Sequence, residues 1–300
     1  MKTNFKNDIA DYAFHILNYF MFTVIALLCL YPFYNIFIYT ISDPQQAAKG
    51  GIYFIPKGLS VFNYLTVFKL KGIAGAAAIS AARTIIGTAV TVCCSSVFAF
   101  ALTKKELYFR KFIYRLVVVT LYLHAGLIPW YITMRAIKLQ NNFLLYILPG
   151  AVVGFYIILI KTYMEQIPPS LEESATIDGA NYFIVFLKII FPMSLPIVAT
   201  IAVFSAVGQW NAWTDNFFLV RNQKLQTLQL ILLNYLRESE ALSRSINTEE
   251  MSKNSSRVMS LTPTAVRMTI TMVATIPIIF VYPFLQRYFI KGIMLGAIKG

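Results

Sequence analysis

Charge is what this 300-residue chain has least of. Charged residues make up 13% of it and hydrophobic ones 58%, whereas a soluble domain carries about a quarter charged residues. That shortage excludes an ordinary soluble domain. Apolar runs recur at lengths near the roughly 20 residues needed to cross hydrocarbon, where helices satisfy their own backbone hydrogen bonds. The expected fold is all-α, a polytopic membrane protein with six transmembrane helices. Histidine and cysteine are scarce as well. His15 and His124 lie far apart with no neighbouring cysteine or carboxylate, which argues against a metal site. Cys29, Cys93 and Cys94 fall inside apolar runs and read as small buried hydrophobes rather than disulfide partners.

Catalytic signatures are missing too. There is no G-x-x-x-x-G-K-[ST] to cradle nucleotide phosphates, no G-x-S-x-G and no H-E-x-x-H. No paired-aspartate cluster is present to hold Mg²⁺. None of the six expected spans contains an aspartate or glutamate, although ion-coupled carriers ordinarily need intramembrane ionisable groups. A solute moved uphill by this chain would draw its energy from another polypeptide.

The expected spans cover about residues 19–41, 79–102, 112–134, 143–163, 189–208 and 267–289. The second, "AARTIIGTAVTVCCSSVFAFAL", is rich in small residues that let helices approach closely. Gly126 and Pro129 should interrupt the third, Pro149-Gly150 stands near the start of the fourth, and Pro192 and Pro196 break the fifth. "TKKELYFRK" at 103–111 carries four basic residues against one acid and places that loop in the cytoplasm. Six spans then put both termini and the 164–188 loop inside. By this topology the exterior loops hold twelve basic residues against six acidic ones. Six of the basic and five of the acidic residues lie in the loop after span five, and long loops translocate largely regardless of charge.

Against this background "PPSLEESATIDGAN" at 168–181 stands out, with Glu172, Glu173 and Asp178 inside seven residues. Pro168-Pro169 stops what precedes. Ser170 with Glu173 three residues on has the form of a capping box, and Glu172 and Glu173 suit the positive end of a helix. Gly179 stands where a left-handed glycine ends a helix. The expected product is a short, bracketed helix lying against the cytoplasmic face.

Longer spacing carries a resemblance. From Glu173 the chain reads Glu-Ser-Ala, three residues, Gly179, nine residues, Ile189, one residue, Phe191-Pro192. This resembles the EAA signature of binding-protein-dependent ABC importer permeases, with Ser174 for the first alanine and Phe191 for the leucine. "IDGA", "LYPFYNIFIYTISDP", "GLIPWY", "LPG", "QWNAWTD" and "YPFLQRYFIKGIMLGAIKG" are similar to the carbohydrate-uptake branch, in its MalG- or LplC-like second permease.

The resemblance implies a type I importer permease fold. Residues 1–75 would form the N-terminal tail, first span and exterior loop, 76–290 the permease core with a coupling helix at about 170–179, and 291–300 a cytoplasmic tail. It implies a non-catalytic subunit in a bacterial cytoplasmic (inner) membrane. Its partners would be a homologous second permease, two ATPase subunits and an extracytoplasmic solute-binding protein. The chain itself would hold no cofactor; ATP and Mg belong to the partner ATPase. Glu172, Glu173, Ser174, Ala175, Ile177, Asp178 and Gly179 would form the ATPase-coupling site. In it Glu173 makes a polar contact, Ala175 and Ile177 pack in a groove, and Gly179 allows the turn.

An oligosaccharide is the implied substrate. Gln209, Trp210, Asn211 and Trp213 open the loop after span five, where aromatic faces and amides suit sugars; for Trp210 and Trp213 an outer aromatic belt is the stronger reading. Tyr122, His124 and Tyr156 are polar-tipped candidates for the path, although core or interface packing suits each of them better than substrate contact does. The exterior basic excess suits an acidic, uronate-containing saccharide, an acidic binding protein or lipid head groups, or reflects no more than a lysine-rich proteome. An ABC permease for another small solute is the nearer alternative. A multi-pass membrane enzyme is the distant one, its only candidate carboxylates being arranged around a helix end rather than converging on a metal.

Overall fold

The apolar runs fold into helices, and no strand forms among the described residues, which are 5–48, 51–70, 72–123, 125–246 and 264–280 of a computed structural model. The chain divides into two units, residues 1–70 with 235–273 and residues 71–234 with 274–300.

In the first unit a single helix, Phe5–Thr40, extends to a short cap made of the Pro44–Ala48 and Phe62–Lys69 helices. Asn63 ties the cap together by donating to the carbonyls of Thr40 (3.0 Å) and Ser42 (3.2 Å). Residues 11–37 of the long helix include no buried residue, and only Ile38 and Thr40, next to the cap, are buried.

The second unit is built around Ile73–Thr103. Its buried residues Ala76, Ser80, Arg83, Gly87, Thr91, Ser95 and Ala99 recur every three or four positions, so they form one stripe along the helix. Small residues on that stripe let Leu195–Asn211 and Gly154–Met164 pack closely against it. Below, Phe100, Leu102, Ile157, Ile160, Phe186 and Ile201 form the apolar core.

Length and apolarity make two helices able to cross a membrane, Asp11–Thr40 and Ile73–Thr103, or four if each bent pair counts as one span. The pairs are Phe143–Gly150 with Gly154–Met164, bent by 47°, and Tyr182–Met193 with Leu195–Asn211, bent by 79°. That is fewer than the six expected. The third expected span is divided into Arg110–Tyr122 and Leu127–Ala136; between them Gly126 takes φ +80°, and neither half is long enough alone. The sixth is helical over Thr264–Phe280, and the rest of it lies outside the described residues, as does the 291–300 tail. Cys29 and Cys93 correct the expectation of burial: both are exposed, on helix faces that this chain leaves uncovered.

Candidate functional site

The segment singled out by its carboxylates is a nine-residue helix, Pro169–Ile177. Its start differs from the expected capping box. Pro168 is the N-cap, with extended backbone (φ −56°, ψ 127°), and no side chain caps the helix. Pro169, the first helical residue, has no N–H to satisfy and a φ already suited to the helix. Ser170 therefore lies inside the helix, and two prolines do the work expected of its hydroxyl. Of the two glutamates only Glu172 lies in the first turn.

The end of the helix follows the glycine signal. Gly179 has φ +85°, its N–H donates to the carbonyl of Thr176 (3.0 Å), and the N–H of Ala180 donates to that of Ala175 (2.9 Å). This pair of bonds is a Schellman motif. A Cβ on Gly179 would meet nothing within 4 Å, so the glycine is required by backbone conformation alone. Asn181 then caps the next helix, its side chain accepting from the N–H of Ile184 (2.9 Å).

One face of the short helix holds it to the bundle. Glu172 pairs with Lys104, whose ammonium also sits 4.0 Å from the Phe100 ring centre and 5.5 Å from that of Tyr182. Ala175 and Ala180 pack on the apolar core. The other face is open: Glu173, Ser174, Asp178 and Gly179 are exposed, and Ile177 is 86% exposed. Nearby, Arg110 donates to the carbonyl of Leu102 (2.6 Å) and to Glu165 (3.0 Å), and Lys161 donates to the other oxygen of Glu165 (2.7 Å). Lys104 and Arg110 were legible only as a topology cue, in the basic 103–111 loop. Lys104 also holds the exposed helix through Glu172, and Arg110 holds Glu165 just before it.

Arg83 lies 21 residues before Lys104 on the same helix, about 30 Å along its axis, which is close to the thickness of a bilayer core. There a cavity of about 230 Å³ is lined by polar groups that include Arg83, Thr91, Tyr146, Tyr156, Gln209 and Asp215. Arg83, 4% exposed, grips Asp215 with two nitrogens (3.0 and 2.5 Å) and donates through Nε to Gln209 (2.8 Å) and through Nη1 to the carbonyl of Ala212 (3.3 Å). The Tyr146 ring lies 4.6 Å from the guanidinium carbon, and its hydroxyl donates to the carbonyl of Leu225 (2.7 Å) and accepts from Asn216 (2.5 Å).

Of the residues expected on a path, Gln209 and Tyr156 line this cavity. Trp210 instead donates to the carbonyl of Ala274 (3.0 Å), Asn211 accepts weakly from Gln229 (3.4 Å), and Trp213 stacks edge-on against Phe217. Tyr122 is 80% exposed, away from the cavity, and His124 lies outside the described residues. Arg83 and Asp215 were not among the expected site residues. A lone arginine on a stripe of small residues inside a span is the signal that would have marked the first.

No family model matches the chain. Individual proteins do. The chain is 32% identical over 287 residues to the polygalacturonan/rhamnogalacturonan transport system permease protein YtcP of Bacillus subtilis, covering 96% of this chain and 98% of that one. It is 30% identical over 296 residues to protein LplC of the same organism, covering 98% and 97%. Among solved structures it is similar to a bacterial ABC transporter involved in the import of the acidic polysaccharide alginate. That match has a TM-score of 0.80 and 29% identity, and it covers 93% of this chain and 98% of the other.

Proposed function

The chain belongs to the permease subunits of carbohydrate ABC transport systems, and from that premise we propose that it imports an acidic oligosaccharide by alternating access, driven through the Pro169–Ile177 helix. As a permease it is a non-catalytic transport component. The observation that carries the coupling reading is the two-faced character of this helix. Glu172 pairs with Lys104 behind it, a Schellman glycine ends it, and Ile177 is 86% exposed in front. An apolar side chain this bare on a polar helix suits a groove in a partner. A helix fixed at its base and end transmits displacement, where a loose loop would absorb it.

In this reading the segment and both termini face the cytoplasm of a bacterial inner membrane. Two partner ATPases bind ATP and Mg and dock on the exposed face, Glu173 making the polar contact and Ile177 entering the groove. A homologous permease completes the path, and an exterior solute-binding protein delivers the saccharide. Two things support an acidic substrate: the relatives above named for polygalacturonan and for alginate, both uronate polymers, and the excess of basic residues in the loops assigned to the exterior. Uptake competition in vesicles bearing the complete importer tests the substrate, with neutral and uronate oligosaccharides of equal length. The uronate should compete better; preference for the neutral sugar removes the acidic assignment.

A further inference from the structure

Arg83 and Asp215 are the only cation and the only anion lining the polar cavity among the described residues, and they are bonded to each other. A guanidinium buried within a span is costly and asks for fixed partners. Arg83 has several that do not depend on Asp215. Gln209 and the Ala212 carbonyl accept from it, and Tyr146, itself tethered through its hydroxyl, covers its face. Gly87 makes room for this arrangement: a Cβ there would stand 2.7 Å from Nε2 of Gln209. The guanidinium is therefore held in place even without its carboxylate.

Asp215 is the more movable member. It lies in the first turn of a six-residue helix, Thr214–Leu219. Apart from Arg83, its carboxylate accepts the N–H of Asn216 (2.8 Å).

We propose that Arg83 reads the carboxylate of the transported saccharide, with Asp215 as the resident counter-ion that a uronate displaces. This inference rests on the acidic-substrate reading above. A planar guanidinium matches a carboxylate through two parallel hydrogen bonds, and a sugar hydroxyl cannot compete for that fork against an ionised aspartate. Around it Trp130, Tyr156 and Ser205 offer ring faces and hydroxyls to a sugar. The cavity falls below the roughly 300–1,000 Å³ of pockets for drug-sized ligands, a size that suits one sugar ring at a time. Asp215 also limits affinity. Once displaced it competes to return, so the uronate is passed on rather than trapped, as conduction through a selective path requires.

The test uses the complete importer in proteoliposomes, with trigalacturonate and its fully methyl-esterified, uncharged form as probes. The wild type should prefer the free acid. Arg83→Gln combined with Asp215→Asn removes both charges together, so that neither is left buried alone. It should cut that preference, read as the ratio of acid to ester uptake within each preparation, by about 10- to 100-fold, the scale of a charged hydrogen bond. Asp215→Asn alone, which leaves Arg83 held by Gln209 and Ala212, should lower KM for the acid and slow its turnover. A wild type that prefers the ester overturns the acidic-substrate reading and the inference with it. A wild type that prefers the acid, with the preference intact in the double variant or KM unchanged in Asp215→Asn, overturns the role of Arg83 alone.

Discussion

Replacing Gly179 separates backbone conformation from contact at the exposed helix. At φ +85° an L-residue pays about 1–2 kcal/mol, and asparagine pays least. Nothing lies within 4 Å of a Cβ built there, so within this chain the cost is conformational only. If the new residue refuses the left-handed state, the bonds from Gly179 to Thr176 and from Ala180 to Ala175 break, at roughly 0.5–1.5 kcal/mol each. The helix end then unwinds and the position of Ile177 is lost. A series of Gly179→Asn, Gly179→Ala and Gly179→Val, assayed as ATP-driven uptake by the reconstituted importer, should fall in that order. Gly179→Asp should lie below its isostere Gly179→Asn, because a negative charge at a helix C-terminus adds about 0.3–1 kcal/mol. Membrane insertion should be unchanged throughout. Full uptake by Gly179→Val would refute the reasoning, since the β-branched residue is least able to hold that conformation.

Two other substitutions probe the frame around the site. Lys104→Glu should depress uptake by removing the half-buried partner of Glu172 and its aromatic contacts, a loss of about 1–2 kcal/mol at the helix base; adding Glu172→Lys should restore part of it, measured as transport rate and as protease resistance of the segment. Gly154→Ala should destabilise the bundle by about 1–3 kcal/mol, because the new Cβ would lie 2.7 Å from Thr120 Oγ1 and 3.2 Å from the carbonyl oxygen of Val117; a detergent melting curve reads the change.

The exposed helix was legible in the sequence because its signals are local. A proline pair, a carboxylate cluster and a glycine stop lie within a dozen residues, and turn chemistry acts over that range. Its start was displaced because Ser170 has the sequence form of a cap while the preceding prolines fix the chain more firmly. Breaks in the helices were legible for the same local reason, at Gly126, Pro149 and the prolines around Ser194, where the bend falls between Pro192 and Pro196. The polar cavity was not. Its ion pair joins residues 132 positions apart, a distance over which no local rule applies, and the "QWNAWTD" motif drew attention to its tryptophans. In the structure its glutamine and aspartate hold Arg83, while Trp210 and Trp213 pack elsewhere.

Ligand-dependent ATP hydrolysis in a Glu173→Lys importer tests the coupling claim most directly. Glu173 is exposed, so the variant should insert and accumulate as the wild type does. It should nevertheless lose both saccharide uptake and the stimulation of ATP hydrolysis by saccharide-loaded binding protein. Normal uptake with normal stimulation would contradict the account.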